Sequence, residues 1–158
     1  RGVLKKNKFD NREIILKKLI NNKKNISVDF YGLNNTQPIW ANKFIDQLSK
    51  SKMGLNLSRG KPLKYYSSDR IAQLMGNGLL TFVDQKTQYS DFFDDTEIVT
   101  YNGLSDLIEK ICKYKKEDNK RKLIAKNGKL KYFKLFNSTN VSDFIIKKTF
   151  NIKSKFFW

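Results

Sequence analysis

Apolar positions along the chain alternate between a helical period and a strand period. Residues 10–22 (DNREIILKKLINN) open with Asp10 and Glu13 at capping-box spacing and carry Ile15, Leu16, Leu19 and Ile20 at helical intervals, which predicts a helix. Residues 26–32 (ISVDFYG) set Val28 and Phe30 between polar neighbours and end on Gly32, the pattern of a strand leaving for the loop LNNTQPI. Trp40, Phe44, Ile45 and Leu48 mark a second helix, and residues 53–57 a short strand that ends on Ser58, Arg59 and Gly60. Ser67 or Ser68 is placed to cap a helix that Gly76-Asn77-Gly78 stops. The apolar run LLTFV at 79–83 predicts a central strand covered on both faces, and EIVTY at 97–101 another strand.

Leu104, Leu107, Ile108, Ile111 and Cys112 then form one helical stripe, residues 115–136 read as one or two charged helices, and residues 141–150 as a last one. This order of elements predicts an α/β protein whose strands are mostly parallel. No strand precedes the first helix, whereas such sheets usually begin with one, so the expectation is a sheet lacking its first strand, cut off or belonging to a fragment.

Composition sets the scale. With 158 residues, 39% of them hydrophobic, the chain is expected to fold as one domain, residues 1–158. A net charge of +17 raises a polyanion partner, but the lysines come as scattered pairs such as Lys5-Lys6 and Lys17-Lys18 on solvent faces of helices. They read as solvated faces and compositional drift, with a functional basic surface as the alternative. Cys112 lies on an apolar stripe, which suits a small core residue in a reducing compartment. There is no His and no Cys cluster, so neither a zinc site nor a His-based triad is available in this chain. No apolar run approaches the roughly 20 residues of a transmembrane segment, and the expected location is cytoplasmic.

In an open parallel sheet, ligands bind beyond the carboxyl ends of the strands, before the helix N-termini. Three polar groups fall there: Ser58-Arg59-Gly60, Ser67-Ser68-Asp69-Arg70, and Asp84. A helix start offers free N–H groups and partial positive charge to a diphosphate, and Arg59 and Lys64 would add full charges. Plainer roles compete: the serines as an N-cap alone, Gly76 and Gly78 as a turn alone, Arg59 as a structural partner of Asp69 or Asp84. Neither phosphate-loop nor dinucleotide glycine fingerprint occurs.

Taken together, LNLSRG, DRIAQLMGNGLLTFVD and EIVTYNGLSDLIEKI resemble the C-terminal, donor-binding domain of GT-B glycosyltransferases, in particular the group-1-like family that includes spore-maturation-type proteins. That family's core motif resembles R-[IF]-x-E-x-x-x-x-G followed by a buried strand and a polar residue. Arg70, Ile71, Gly78, the strand at 79–83 and Asp84 fit it, over a resemblance spanning residues 26–136. The family glutamate, which holds the donor's ribose hydroxyls, falls on Gln73, and an amide cannot accept from two hydroxyls as a carboxylate does.

The resemblance implies a Rossmann-like fold and a metal-independent glycosyltransferase that binds a nucleotide sugar. Its nucleotide-sugar-binding residues would be Arg59, Lys64, Ser67, Ser68, Asp69, Arg70, Gln73 and Asp84. It also implies a partner N-terminal domain of the same protein, holding the unknown acceptor and any catalytic base, and a fragment inactive alone. Without that partner, the aromatic tail Phe156-Phe157-Trp158 would pack on its own domain or drive self-association. Two other classes stand beside this one. One is a basic nucleic-acid-binding module using Lys with Tyr65, Tyr66 and Tyr132, and the other a degenerate, non-catalytic interaction domain.

Overall fold

The computed structural model describes residues 11–21, 26–32, 36–58, 60–66 and 68–155. Helices α1 (Asn11–Asn21) and α2 (Ala41–Lys50) precede β1 (Met53–Asn56), α3 (Asp69–Gly76) and β2 (Leu80–Asp84). Two single 3₁₀ turns, Gln85–Thr87 and Tyr89–Asp91, lead to β3 (Val99–Tyr101), followed by α4 (Gly103–Lys116), α5 (Asp118–Phe136) and α6 (Ser138–Thr149). The strands form a parallel sheet in the order β1-β2-β3, with Leu55 opposite Phe82 and Phe82 opposite Val99. The fold is α/β, a parallel sheet flanked by helices, as the order of elements predicts.

Side chains alternate across a strand, so β2 feeds two cores. Leu80 and Phe82 join Val99 and Tyr101 of β3, Leu107, Ile111 and Tyr114 of α4, and Leu19 of α1 on one face. Val83 joins Ile71 and Met75 of α3, the ring cluster Tyr89, Phe92 and Phe93, and Ile98 on the other. Phe82 is 1% exposed and Val83 fully buried, which explains why the sequence at 79–83 shows no alternation.

Helix α5 joins the two cores. Ile124 and Ala125 pack into the first, while Tyr132, Leu135 and Phe136 lie against the second. Between them Gly128 sits against the Glu97 carbonyl, just before β3. α5 therefore crosses the sheet at its amino edge.

The predicted strand at 26–32 is a correction. Ile26 is buried and Val28 and Phe30 pack against the first core, yet among the described residues the segment forms no ladder with any strand. Alternation reports that one side of an extended segment is covered, and lying along a helix-flanked core covers it without strand pairing. The segment ends where the Gly32 N–H donates to the Thr36 carbonyl at 2.9 Å. Helix α2 forms as predicted, but none of its residues is buried. Cys112 packs partly buried against the first core, as its stripe indicates. The tail at 156–158 lies outside the described residues.

Candidate functional site

Because all three strands run the same way, the ends of β1, β2 and β3 share one edge with the starts of α3 and α4. α3 begins there because Ser68 adopts an extended N-cap conformation and its hydroxyl accepts from the Arg70 N–H at 3.4 Å. The Arg70 side chain turns back over this cap: Nε donates to Ser68 Oγ at 2.9 Å, and a terminal nitrogen donates to the Leu57 carbonyl at 2.6 Å. One guanidinium thus fastens the start of α3 to the end of β1. Asp69 opens the helix, and its carboxylate accepts from the Gln73 amide one turn later, at 3.2 Å.

The loop between β1 and α3 is tied down through Tyr65. Its backbone N–H donates to the Thr87 carbonyl at 2.8 Å, its hydroxyl to Asp91 at 2.6 Å, and its ring meets Phe92 edge-on at 4.9 Å. These contacts hold Tyr65 at a φ of +58°, a left-handed conformation that a bulky residue keeps only under constraint. The Lys64 ammonium lies over the same ring, 4.7 Å from its centre. Thr87 in turn donates its hydroxyl to the Asp84 carbonyl at 2.6 Å, and the Asp84 carboxylate caps the following turn by accepting from the Lys86 N–H at 2.9 Å. A chain of contacts therefore runs from Lys64 through Tyr65 and Thr87 to Asp84.

Of the residues singled out from sequence, Ser68 and Arg70 form one local cluster and Asp69 and Gln73 another along the first turns of α3. Lys64 and Asp84 meet through the Tyr65–Thr87 link. Arg59 and Ser67 lie outside the described residues.

Three features escaped the sequence. Asn56, the last residue of β1, is 5% exposed, and its side-chain carbonyl has no hydrogen-bond partner among the described residues. It shares the α3 side of the strand with Gly54, where an added Cβ would meet Leu74 of α3. A lone amide between Leu55 and Leu57 was its only signal. Tyr65 as the anchor of the loop is the second.

The third is the start of α4, where Gly103 takes a φ of +79° and Asp106 accepts from the Asn102 N–H at 2.7 Å. Lys110 bridges Asp106, at 2.9 Å, and the Thr100 carbonyl, at 2.8 Å. The Lys110 bond first, and the Asn102 N–H second, hold the Asp106 carboxyl below the usual carboxylate range. Tyr101, opposite Asp84, is pushed up by burial and secondarily by the Asp84 charge, so it stays a neutral phenol. Among the described residues no group of three or more His, Cys, Asp or Glu could hold a metal ion.

The edge thus combines a capped helix start, a braced basic loop and carboxylates, which suits a ligand with an anionic part and hydroxyl groups. A family model described as glycosyl transferase-like matches residues 11–147, most of the chain. The chain belongs to this glycosyl transferase-like family. No curated protein matches the chain significantly, and no solved structure does. The matched range of the glycosyltransferase-like chain takes in the whole sheet, α3, α4 and α5. No helix among its described residues is long and apolar enough to cross a membrane.

Proposed function

We propose that the chain is the donor-binding part of a GT-B glycosyltransferase of the spore-maturation-type group, taking a nucleoside diphosphate sugar at the carboxyl edge of the sheet. The observation that carries this reading is the start of α3, capped by Ser68 and fastened to β1 by Arg70 at the edge where parallel sheets bind ligands. The first-turn N–H groups of α3 and Ser68 would face the diphosphate, with Arg59, Lys64 and Ser67 on the loop before it. Asp69 also sits at that helix start, and its charge opposes an anion there, so the cationic side chains of the loop have to outweigh it. Arg70 acts as a positioning residue. Asp69 and Gln73 together offer acceptors to the ribose, which softens the loss of the family carboxylate. Asp84 borders the site at the end of β2. The acceptor, and any catalytic base, belong to the second domain that the resemblance implies, and no metal is required.

Two measurements check this. Calorimetry or ligand-observed NMR with UDP, GDP and ADP is expected to show weak binding of at least one, with amide shifts concentrated on residues 60–73, and no turnover of a nucleotide sugar. Absence of binding to all three at millimolar concentration would remove the assignment.

Gln73 gives the sharper test. Gln73→Ala should weaken nucleotide binding by about 1 kcal/mol, the net value of a neutral hydrogen bond. Gln73→Glu should raise affinity for the ribonucleotide relative to its 2′-deoxy analogue. The ratio is the readout, because the new carboxylate would also face Asp69 one turn away and unsettle α3 by a few tenths of a kcal/mol, roughly, whichever nucleotide is bound. Equal change in both affinities would place Gln73 away from the ribose.

A further inference from the structure

A strongly basic groove lies at the opposite edge of the sheet. The segments that enter parallel strands share one edge, and α5 crosses it between the two cores. Lys52, before β1, and Gly78, before β2, face Arg121, Lys122, Lys126 and Lys129 of α5 across a groove of about 300 Å³. The residues lining it include no carboxylate and no aromatic ring.

The cations are organised rather than scattered. Lys122, Lys126 and Lys129 follow one another at helical spacings of four and three, so they share one side of α5 and span about 10 Å at 1.5 Å per residue. Arg121 forms part of the lining, only 4% exposed, bonded to Asp118 and within 3.5 Å of the Tyr114 carbonyl. Asp118 also takes Lys122 at 2.7 Å, while Glu97 takes Lys131 at 3.5 Å beyond the groove. Among the described residues, Lys52, Lys126 and Lys129 have no ion-pair partner. The available carboxylates thus flank the groove and leave its middle uncompensated.

We propose that this groove binds a compact, multiply charged anion, an oligophosphate or a small molecule bearing more than one phosphate. A concave surface lined by one sign of charge and backed by a low-dielectric core focuses its field, and an anion there relieves the mutual repulsion of the lysines. The volume falls at the lower end of small-molecule sites, which run from roughly 300 to 1,000 Å³. Nucleic acid fits less well, because single strands are held by aromatic stacking as well as charge and this lining offers no ring. The site is separate from the proposed donor crevice. β2 lies between them, on the order of 13 Å at 3.3 Å per residue, so both could be filled at once.

The test is an amide NMR titration of the full chain with inorganic triphosphate, and in parallel with a sugar bisphosphate, at physiological ionic strength. Saturable shifts are expected at Lys52, Gly78, Lys126 and Lys129, and the tighter of the two probes identifies the kind of phosphate compound preferred. Lys126→Ala with Lys129→Ala should weaken binding roughly tenfold, since two charged contacts are lost. Lys43→Ala with Lys153→Ala removes the same charge from exposed positions elsewhere and should change affinity by less than about twofold. Equal loss in both pairs would mean that overall charge alone attracts the anion, and the site would be withdrawn. Shifts confined to the start of α3 would place the anion in the donor crevice instead. Single-stranded nucleic acid moving the groove amides where neither phosphate probe does would also overturn the proposal.

Discussion

Gly128→Ala is expected to destabilise the protein by about 3 kcal/mol, the upper part of the range for overpacking a core. Helix propensity argues the other way, since Ala in a helix interior is favoured over Gly by about 1 kcal/mol. Packing decides the sign. A Cβ at Gly128 would stand 2.1 Å from the Glu97 carbonyl oxygen and 3.1 Å from the Met75 methyl. The first obstacle is backbone, fixed by its place at the entry to β3, so relief requires α5 to lift from the sheet edge and loosen both cores. Gly54→Ala makes the contrast. There the Cβ would meet Leu74 Cδ2 at 2.3 Å, which is closer than any real contact, but Leu74 is a side chain that can change rotamer. Denaturant unfolding of the two variants should rank Gly128→Ala as the more damaging. An equal or smaller loss at Gly128 would mean that α5 does not press on the sheet as described.

That dependence on one glycine also shows where sequence reasoning stops. The elements carried by a strong local signal were legible: the run at 79–83, the Ser68 cap, the stripe of α4. Helix α5 was legible only as charged, although Arg121, Ile124, Ala125 and Gly128 are buried at spacings of three, one and three. Arginine reads as strongly polar and alanine and glycine as nearly neutral, so a buried face built largely from them leaves no apolar pattern to read. Residues 26–32 failed for the opposite reason: they carry a strand's alternation without a strand's partner.

At the site, sequence spacing located the helix start and the carboxyl edge correctly. The bonds of Arg70 to Leu57 and of Tyr65 to Thr87 and Asp91 join residues 13, 22 and 26 positions apart. Nothing local specifies such pairings. For the same reason the resemblance names Arg70 only as a donor-site residue, and its bonds to the Ser68 hydroxyl and the Leu57 carbonyl become visible only in the structure.

Arg70 is therefore the position where fold and function should fail together. Arg70→Ala removes two charge-assisted hydrogen bonds, each worth about 1.5 to 3 kcal/mol when well formed. Arg70 is only half-buried, so solvent offsets part of this, and the expected loss of stability is about 2 kcal/mol. Freed from Leu57, the first turn of α3 loses its fixed place against β1, and nucleoside diphosphate affinity should fall even under conditions where the variant remains folded. Arg70→Lys separates positioning from charge. An ammonium keeps the positive charge near the diphosphate but cannot reach Ser68 Oγ and the Leu57 carbonyl with the fixed fork that a guanidinium provides. If Arg70 works by positioning, the Lys variant should bind nucleotide about as poorly as the Ala variant, and its amides at Ser58 and Ser68 should shift together. If Lys restores affinity, Arg70 contacts the phosphate directly, and the anchoring role assigned here is wrong.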